Sequence, residues 1–109
     1  NAVTDDSDSR LKDNILPNTL GLDFINDLNP VSYKWKDADI DTTTHYGVVA
    51  QDVIETLKKY GIDSLDDFGG ITHDIEKDRY GARPTEFISI LIKAVQELSD
   101  EVKQLKEKN

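Results

Sequence analysis

The chain has no cysteine among its 109 residues and only two histidines, His45 and His73, far apart. Without cysteine there is no disulfide framework. Two distant histidines give no spacing of the kind zinc sites show, so no metal is expected. Basic residues are few: 13 Lys and Arg against 22 Asp and Glu leave a net charge of -9. That balance argues against a basic face for DNA, RNA or an anionic membrane. No apolar run approaches the roughly 20 residues needed to cross a bilayer. The first six residues, Asn1 to Asp6, have neither the basic start nor the apolar stretch of a signal peptide. No glycine-rich phosphate loop is present, so no nucleotide cofactor is indicated, and none of another kind is expected. Hydrophobic content is 37%, low for a self-sufficient globule. A chain of this length makes one domain, and its small core points to a partner.

What is present reads as α+β. The start, Asn1 to Ser9, is polar and acidic and is expected to be mobile or extended. Arg10 to Leu16 is expected to be a short strand ended by Pro17, with Leu11 and Ile15 apolar. Asn18 or Thr19 can cap a helix from Leu20, with Leu22, Ile25 and Leu28 on one face and Phe24 beside them. Asn29-Pro30 stops it. Val31 to Lys36 alternates, with Val31, Tyr33 and Trp35 on one side, and reads as a strand. Asp37 to Thr44 is a loop. Tyr46 to Ala50 is expected to pair with the first strand as a second. A helix from Gln51 or Asp52 to about Tyr60 buries Val53, Ile54 and Leu57, and Gly61 suits a left-handed cap. Ile62 to Tyr80 is rich in Gly and Asp, and Ile71 and Ile75 mark a hairpin or an extended arm.

The clearest pattern comes last. Pro84 fits the first turn of a helix. Ile88, Leu91, Val95, Leu98, Val102 and Leu105 then recur at alternating spacings of three and four. That is a heptad seam, with β-branched residues at a and leucine at d. Phe87 and Ile92 widen it where the helix should touch the globular part. From Ile88 to Leu98 packing on the chain's own domain is a fair rival to association. From Val102 to Asn109 it is a weaker one, because a domain this small has little surface left to cover. Self-association through residues 84–109 is the expectation. Branched a with leucine d leans toward two strands in isolated parallel coils, and three heptads are too few to fix the number.

One short segment carries chemistry: Ser7-Asp8-Ser9-Arg10-Leu11-Lys12. A serine is a weak nucleophile until a base takes its proton, and a lysine held neutral can be that base. Burial is what favours the neutral lysine. The spacing tests the pairing. In a strand, residues five apart face opposite sides, about 16 Å apart. In a helix they lie about 140° apart around the axis. A turn, or a lysine from a neighbouring chain, is therefore needed to bring Ser7 to Lys12. Ser9 and Lys12 would meet on a helix, which makes Ser9 the rival nucleophile.

Four blocks in order resemble the peptidase S74 family, the intramolecular chaperone domain at the C-terminus of phage tail spikes, tail fibres and neck appendages. Ser7-Asp8-Ser9-Arg10-Leu11-Lys12-Asp13-Asn14-Ile15 resembles its opening Ser-Asp-x-Arg-x-Lys-x-x-Ile. The second block runs from Leu22-Asp23 through Ile25, Leu28 and Pro30-Val31 to Tyr33 and Trp35. The third is His45-Tyr46-Gly47-Val48-Val49-Ala50-Gln51-Asp52-Val53. The closing helix is matched by Ile90-Leu91-Ile92-Lys93-Ala94-Val95-Gln96-Glu97-Leu98.

The resemblance implies that residues 7–109 form a chaperone and autoprotease domain, and that 1–6 end an upstream fibre or linker of the same polypeptide. Such a domain forms a homotrimer, with residues 84–109 as a trimeric coiled coil. It guides folding of the fibre ahead of it, and then cuts itself off at the Asp6-Ser7 bond. Ser7 would be the nucleophile and Lys12 the base. The place would be the infected host's cytoplasm during virion assembly, with release from the mature virion protein. Residues 62–80 would be a short version of the family's arms. As written, with residues 1–6 attached, the chain is expected to be an uncut precursor fragment or one too short to build a competent site. A cut that happens elsewhere also fits. Two departures stand out. Gly81 to Phe87 replaces the family's usual lead into the last helix, and Asp5-Asp6 puts two negative charges at the bond to be cut. The alternatives are a structural trimer cap that does not cut, and the related self-cleaving region of a membrane-bound eukaryotic transcription factor. A membrane-spanning helix soon after this segment in the parent chain would favour the latter.

Overall fold

The computed structural model describes residues 6–108. It is an α+β domain with two small antiparallel sheets and a long last helix. Helix α1 spans Leu22–Asp27, α2 Ala50–Lys58 and α3 Ile88–Glu107. Strands β1 (Val31–Tyr33) and β2 (His45–Gly47) make one ladder, with Tyr33 opposite His45. Strands β3 (Ile71–Asp74) and β4 (Arg79–Ala82) make the other, a hairpin with His73 opposite Tyr80. Short 3-10 turns cover Ser9–Leu11, Leu65–Asp67 and Pro84–Phe87.

The core is small and built around Phe24, which is fully buried. Tyr60 meets its ring edge-on at 5.5 Å and Phe68 lies tilted at 6.2 Å. Val53 and Leu57 reach it from α2, Ile71 from β3, Ile90 from α3 and Leu20 from the chain before α1. The apolar positions of α2 are spaced to present one face, and that face is the buried one. Thr56 is buried too, and its hydroxyl donates to the Asp52 carbonyl at 3.1 Å, which leaves no orphaned group. At the end of α2, Gly61 takes φ +79. Its N–H meets the Lys58 carbonyl and the Ile62 N–H reaches back to Leu57, so the last carbonyls are satisfied. The Tyr60 hydroxyl donates to Asp27 at 2.6 Å and ties α2 to α1. That bond, with some burial, pushes the phenol up to about 12.

Several boundaries differ from the sequence reading. The helix expected from Leu20 begins at Leu22, because Leu20 is a core residue whose N–H is held by the Asn18 side chain at 2.9 Å. Strand β1 ends at Tyr33 rather than at Lys36, yet Trp35 still packs edge-on against Tyr33 at 5.4 Å. The second strand is His45–Gly47, and Ala50 already belongs to α2. Of the segment from Ile62 to Tyr80, the hairpin reading fits the second half: Ile71 is buried at its base and Ile75 is exposed at its tip. Pro84 opens a 3-10 turn that runs into α3, and Phe87 packs edge-on against Phe68. Of the start expected to be mobile or extended, Asn1 to Ser9, residues 1–5 lie outside the described residues, Asp8 is extended and Ser9 opens a turn.

Phe24→Ala should cost about 3–5 kcal/mol. Domains of this size have roughly 5–15 kcal/mol in total, so the variant should be close to unfolded at room temperature. Urea melts read by Trp35 fluorescence and circular dichroism check this. A loss below about 1 kcal/mol would mean that the core is not centred on Phe24.

Candidate active site

Residues 6–17 are exposed along their whole length. Local hydrogen bonding shapes them. Asp8 has an extended backbone, and its carboxylate accepts the Arg10 N–H at 2.9 Å. The Arg10 guanidinium folds back onto the same carboxylate, with Nη2 to Oδ2 at 2.7 Å. The Leu11 N–H bonds the Asp8 carbonyl and the Lys12 N–H bonds the Ser9 carbonyl, closing a 3-10 turn. The turn reverses the chain between residues 7 and 12. Lys12 Nζ donates to Ser7 Oγ at 2.8 Å.

A turn within one chain therefore brings Ser7 and Lys12 together, as neither a strand nor a helix could. Ser9 lies inside the turn, where its carbonyl holds the Lys12 N–H, and the hydroxyl that meets Nζ is that of Ser7. Asp6 precedes the pair and is exposed. Its neighbour Asp5 lies outside the described residues. The strand expected over Arg10 to Leu16 is not formed. Asp8 captures the start of that stretch in a turn, and Asn14 takes φ +51, which breaks any extended run. Leu11, Ile15 and Leu16 are left in solvent with no strand beside them.

The seam on α3 is also in solvent. Ile88, Leu91, Val95, Leu98, Val102 and Leu105 are all at least 43% exposed. The residues of α3 that the domain buries are Ile90 and Ala94, each 4% exposed. Taking 100° per residue, that stripe lies roughly 100° around the axis from the seam. Near the start of the seam Ile88, Leu91, Ile92 and Val95 line an open apolar hollow of about 350 Å³. Packing on the chain's own domain thus uses a different face from the heptad positions.

A second polar cluster closes the loop before β2. Asp41 accepts from the Thr43 hydroxyl and N–H, both at 2.6 Å, and meets His45 Nε2 at 2.7 Å. The Thr43 bonds, then His45, hold the Asp41 carboxyl down at about 2. His45 stacks on Tyr33 across the ladder. His73 stacks on Tyr80 at 4.1 Å and bonds Asp78 in the other sheet. Both arrangements close hairpins. Among the described residues, no three His, Asp or Glu side chains converge as metal ligands would.

The sequence reading missed Asp8 and Arg10 as the residues that set the turn. The signal was there: an Asp two residues before the N–H it caps is a common turn opener. Arg10 beside it, first through the side-chain bond and then through its N–H, holds the Asp8 carboxyl below its usual range. Asp8→Ala should therefore move the Arg10 amide resonance toward its random-coil position and leave the thermal melt unchanged, since nothing in the turn is buried. Acid should do the same to the unaltered chain. A depressed folded pKa contributes fully above the ordinary value of 3.8 and is lost as pH falls through the lower folded value. A nuclear magnetic resonance titration of that amide checks both, and an amide indifferent to the substitution and to acid would show that Asp8 does not hold the turn.

The comparisons with known proteins bear on this segment directly. The model of the peptidase S74 family, described as the chaperone of endosialidase, matches residues 7–62. The match opens on Ser7 and takes in Lys12, α1, both strands of the first ladder and α2; the second hairpin and α3 lie beyond it. No curated protein and no solved structure gives a significant match. With more than half of its 109 residues matched, the chain belongs to the peptidase S74 family.

Proposed function

We propose that this domain is an intramolecular chaperone that associates as a trimer through α3, assists folding of a fibre or spike preceding it in the same polypeptide, and then releases itself by cutting at Asp6-Ser7. The observation that carries the chemistry is the 2.8 Å contact between Lys12 Nζ and Ser7 Oγ. In that contact the ammonium donates. As a base, the neutral amine would accept the hydroxyl proton over the same distance. Ser7 Oγ then attacks the Asp6 carbonyl carbon. The C–N bond to Ser7 breaks, the nitrogen leaves as an amine with the proton returned by Lys12, and the acyl group rests on Oγ as an ester. Water hydrolyses the ester to the Asp6 carboxylate and restores the hydroxyl.

The free seam supports association. The globular part sits on the Ile90 and Ala94 side and leaves every heptad position uncovered. Exposed leucine, isoleucine and valine along a 20-residue helix form an apolar strip that a second and third copy would bury. The exposure of Ser7 and Lys12 supports a link between assembly and cutting. A neutral lysine needs a drier site than a single chain provides, and neighbouring copies would provide it. The same exposure is what a non-cutting structural cap would show, so that is the second reading. The setting would be the infected host's cytoplasm, where a fibre is assembled.

In the full-length chain, Ser7→Ala should stay whole and still associate. Lys12→Arg should do likewise, because a guanidinium stays protonated. Intact mass and sedimentation read both. Cutting of Ser7→Ala at the same bond would remove Ser7 as the nucleophile, and an assembled parent that never cuts would favour the structural cap.

The pair Leu98→Asp and Leu105→Asp puts unpaired charges into the seam at a cost of several kcal/mol per chain once buried. The double variant should be monomeric and uncut although Ser7 and Lys12 are unchanged. Monomers that cut at the normal rate would show that one chain builds the whole site.

A further inference from the structure

The segment that carries Ser7 and Lys12 is free along its length but clasped at its end. Asn18 uses both ends of its amide: Oδ1 accepts the Leu20 N–H at 2.9 Å, and Nδ2 donates to Ser89 Oγ on α3 at 3.3 Å. Four residues on, the Leu22 N–H donates to Glu97 Oε1, also on α3, at 2.8 Å. Leu20 between them is buried in the core. Gly21 allows the close approach, since an added Cβ there would overlap the Glu97 carboxylate. Ser89 and Glu97 are about 12 Å apart along the helix axis at 1.5 Å per residue. Two attachment points that far apart fix the direction of the segment as well as its position.

Lys12 lies six residues before Asn18, a reach of at most about 20 Å. The dyad therefore hangs on a short tether whose base is fixed to α3. Neither Ser89 nor Glu97 belongs to the seam, so altering the clasp leaves the heptad positions intact.

We infer that Asn18 and Glu97 are positioning residues for the Ser7 and Lys12 cut: they make α3, the helix that brings copies together, also the element that sets where the dyad lies among them. This rests on the Ser–Lys reading above. A displacement of about 1 Å at reacting atoms costs on the order of a hundredfold in rate. Losing one bond of the clasp should thus slow cutting in an assembly that is otherwise unchanged.

The test is a time course of cutting in the full chain, read by mass, with association read by sedimentation. Asn18→Ala and Glu97→Ala should associate as the unaltered chain does and cut at least about tenfold more slowly. Glu97→Gln keeps an oxygen for the Leu22 N–H and should recover most of the rate. Alanine variants that assemble and cut at the unaltered rate would overturn the inference. If Glu97→Ala fails to assemble, assembled Asn18→Ala decides: slow cutting supports the clasp and normal cutting overturns it. An unaltered chain that assembles and stays whole removes the Ser–Lys reading itself, and this role with it. An unaltered chain that cuts no faster than either alanine variant removes the clasp alone.

Discussion

Ile90 and Ala94 anchor α3 to the globular part, and the position of that stripe governs what the rest of the helix can do. A helix of 20 residues has room for two apolar faces. The domain takes the narrower one, made of a buried isoleucine and a buried alanine. Gly21, just before α1, lets the chain approach α3 closely enough for the Leu22 N–H to reach Glu97. The wider face, built of branched residues and leucines, is left to solvent in the single chain. Had the seam residues themselves held the domain, no apolar strip would remain for other copies. The division of one helix into an inward face and an outward seam is therefore what makes association available at all.

The Ser7 and Lys12 contact rests on a different kind of force. No buried residue supports it. It depends on an exposed carboxylate that caps a turn and on a guanidinium that holds that carboxylate in place. Exposed ion pairs contribute little to stability, so such a turn brings two groups together without locking them. Under the proposed reading, in which the cut happens once and after another part of the molecule has folded, weak local order would be an asset. The Ser7 and Lys12 contact is already present in the single chain, and the dry surroundings that the cut would require would come only when other surfaces closed around it.

Much of this was legible in the residues. The spacing of Ile88 to Leu105 marked a long helix with an apolar strip, which the single chain leaves exposed, and the alternation of Val31, Tyr33 and Trp35 marked the first strand. Gly61 marked the end of α2. These signals are periodic or conformational, and they live within one element. What escaped is non-local or depends on one polar contact. Leu11 and Ile15 read as a strand because apolar spacing does not reveal that a strand has no partner. Asn18 read as a helix cap, and it does hold an N–H, but that of Leu20 before the helix. Glu97 read as one of several charged outer positions. That it holds the first N–H of α1 follows only from the packing of two elements 75 residues apart in the chain. The need for a turn between Ser7 and Lys12 came from arithmetic on residue spacing, whereas the Asp8 and Arg10 pair that makes the turn came from the structure.

The order of events under the proposed reading follows from where free energy is gained. Association through the seam removes apolar surface from water and is the large favourable step. The dyad gains nothing by itself from association, because its own residues are polar and exposed. It can respond only if something ties it to the helix that moves. Leu11, Ile15 and Leu16 offer one contribution: three apolar side chains on the dyad segment are unburied in the single chain, and contact with a neighbouring copy would lower their free energy while drying the lysine beside them. The clasp at Asn18 and Glu97 offers the other, since it limits the places where that contact could occur. Hydrophobic burial would supply the driving force and two hydrogen bonds the direction. On this reading the pair that a turn already brings together in one chain becomes a competent site only when the copies have come together.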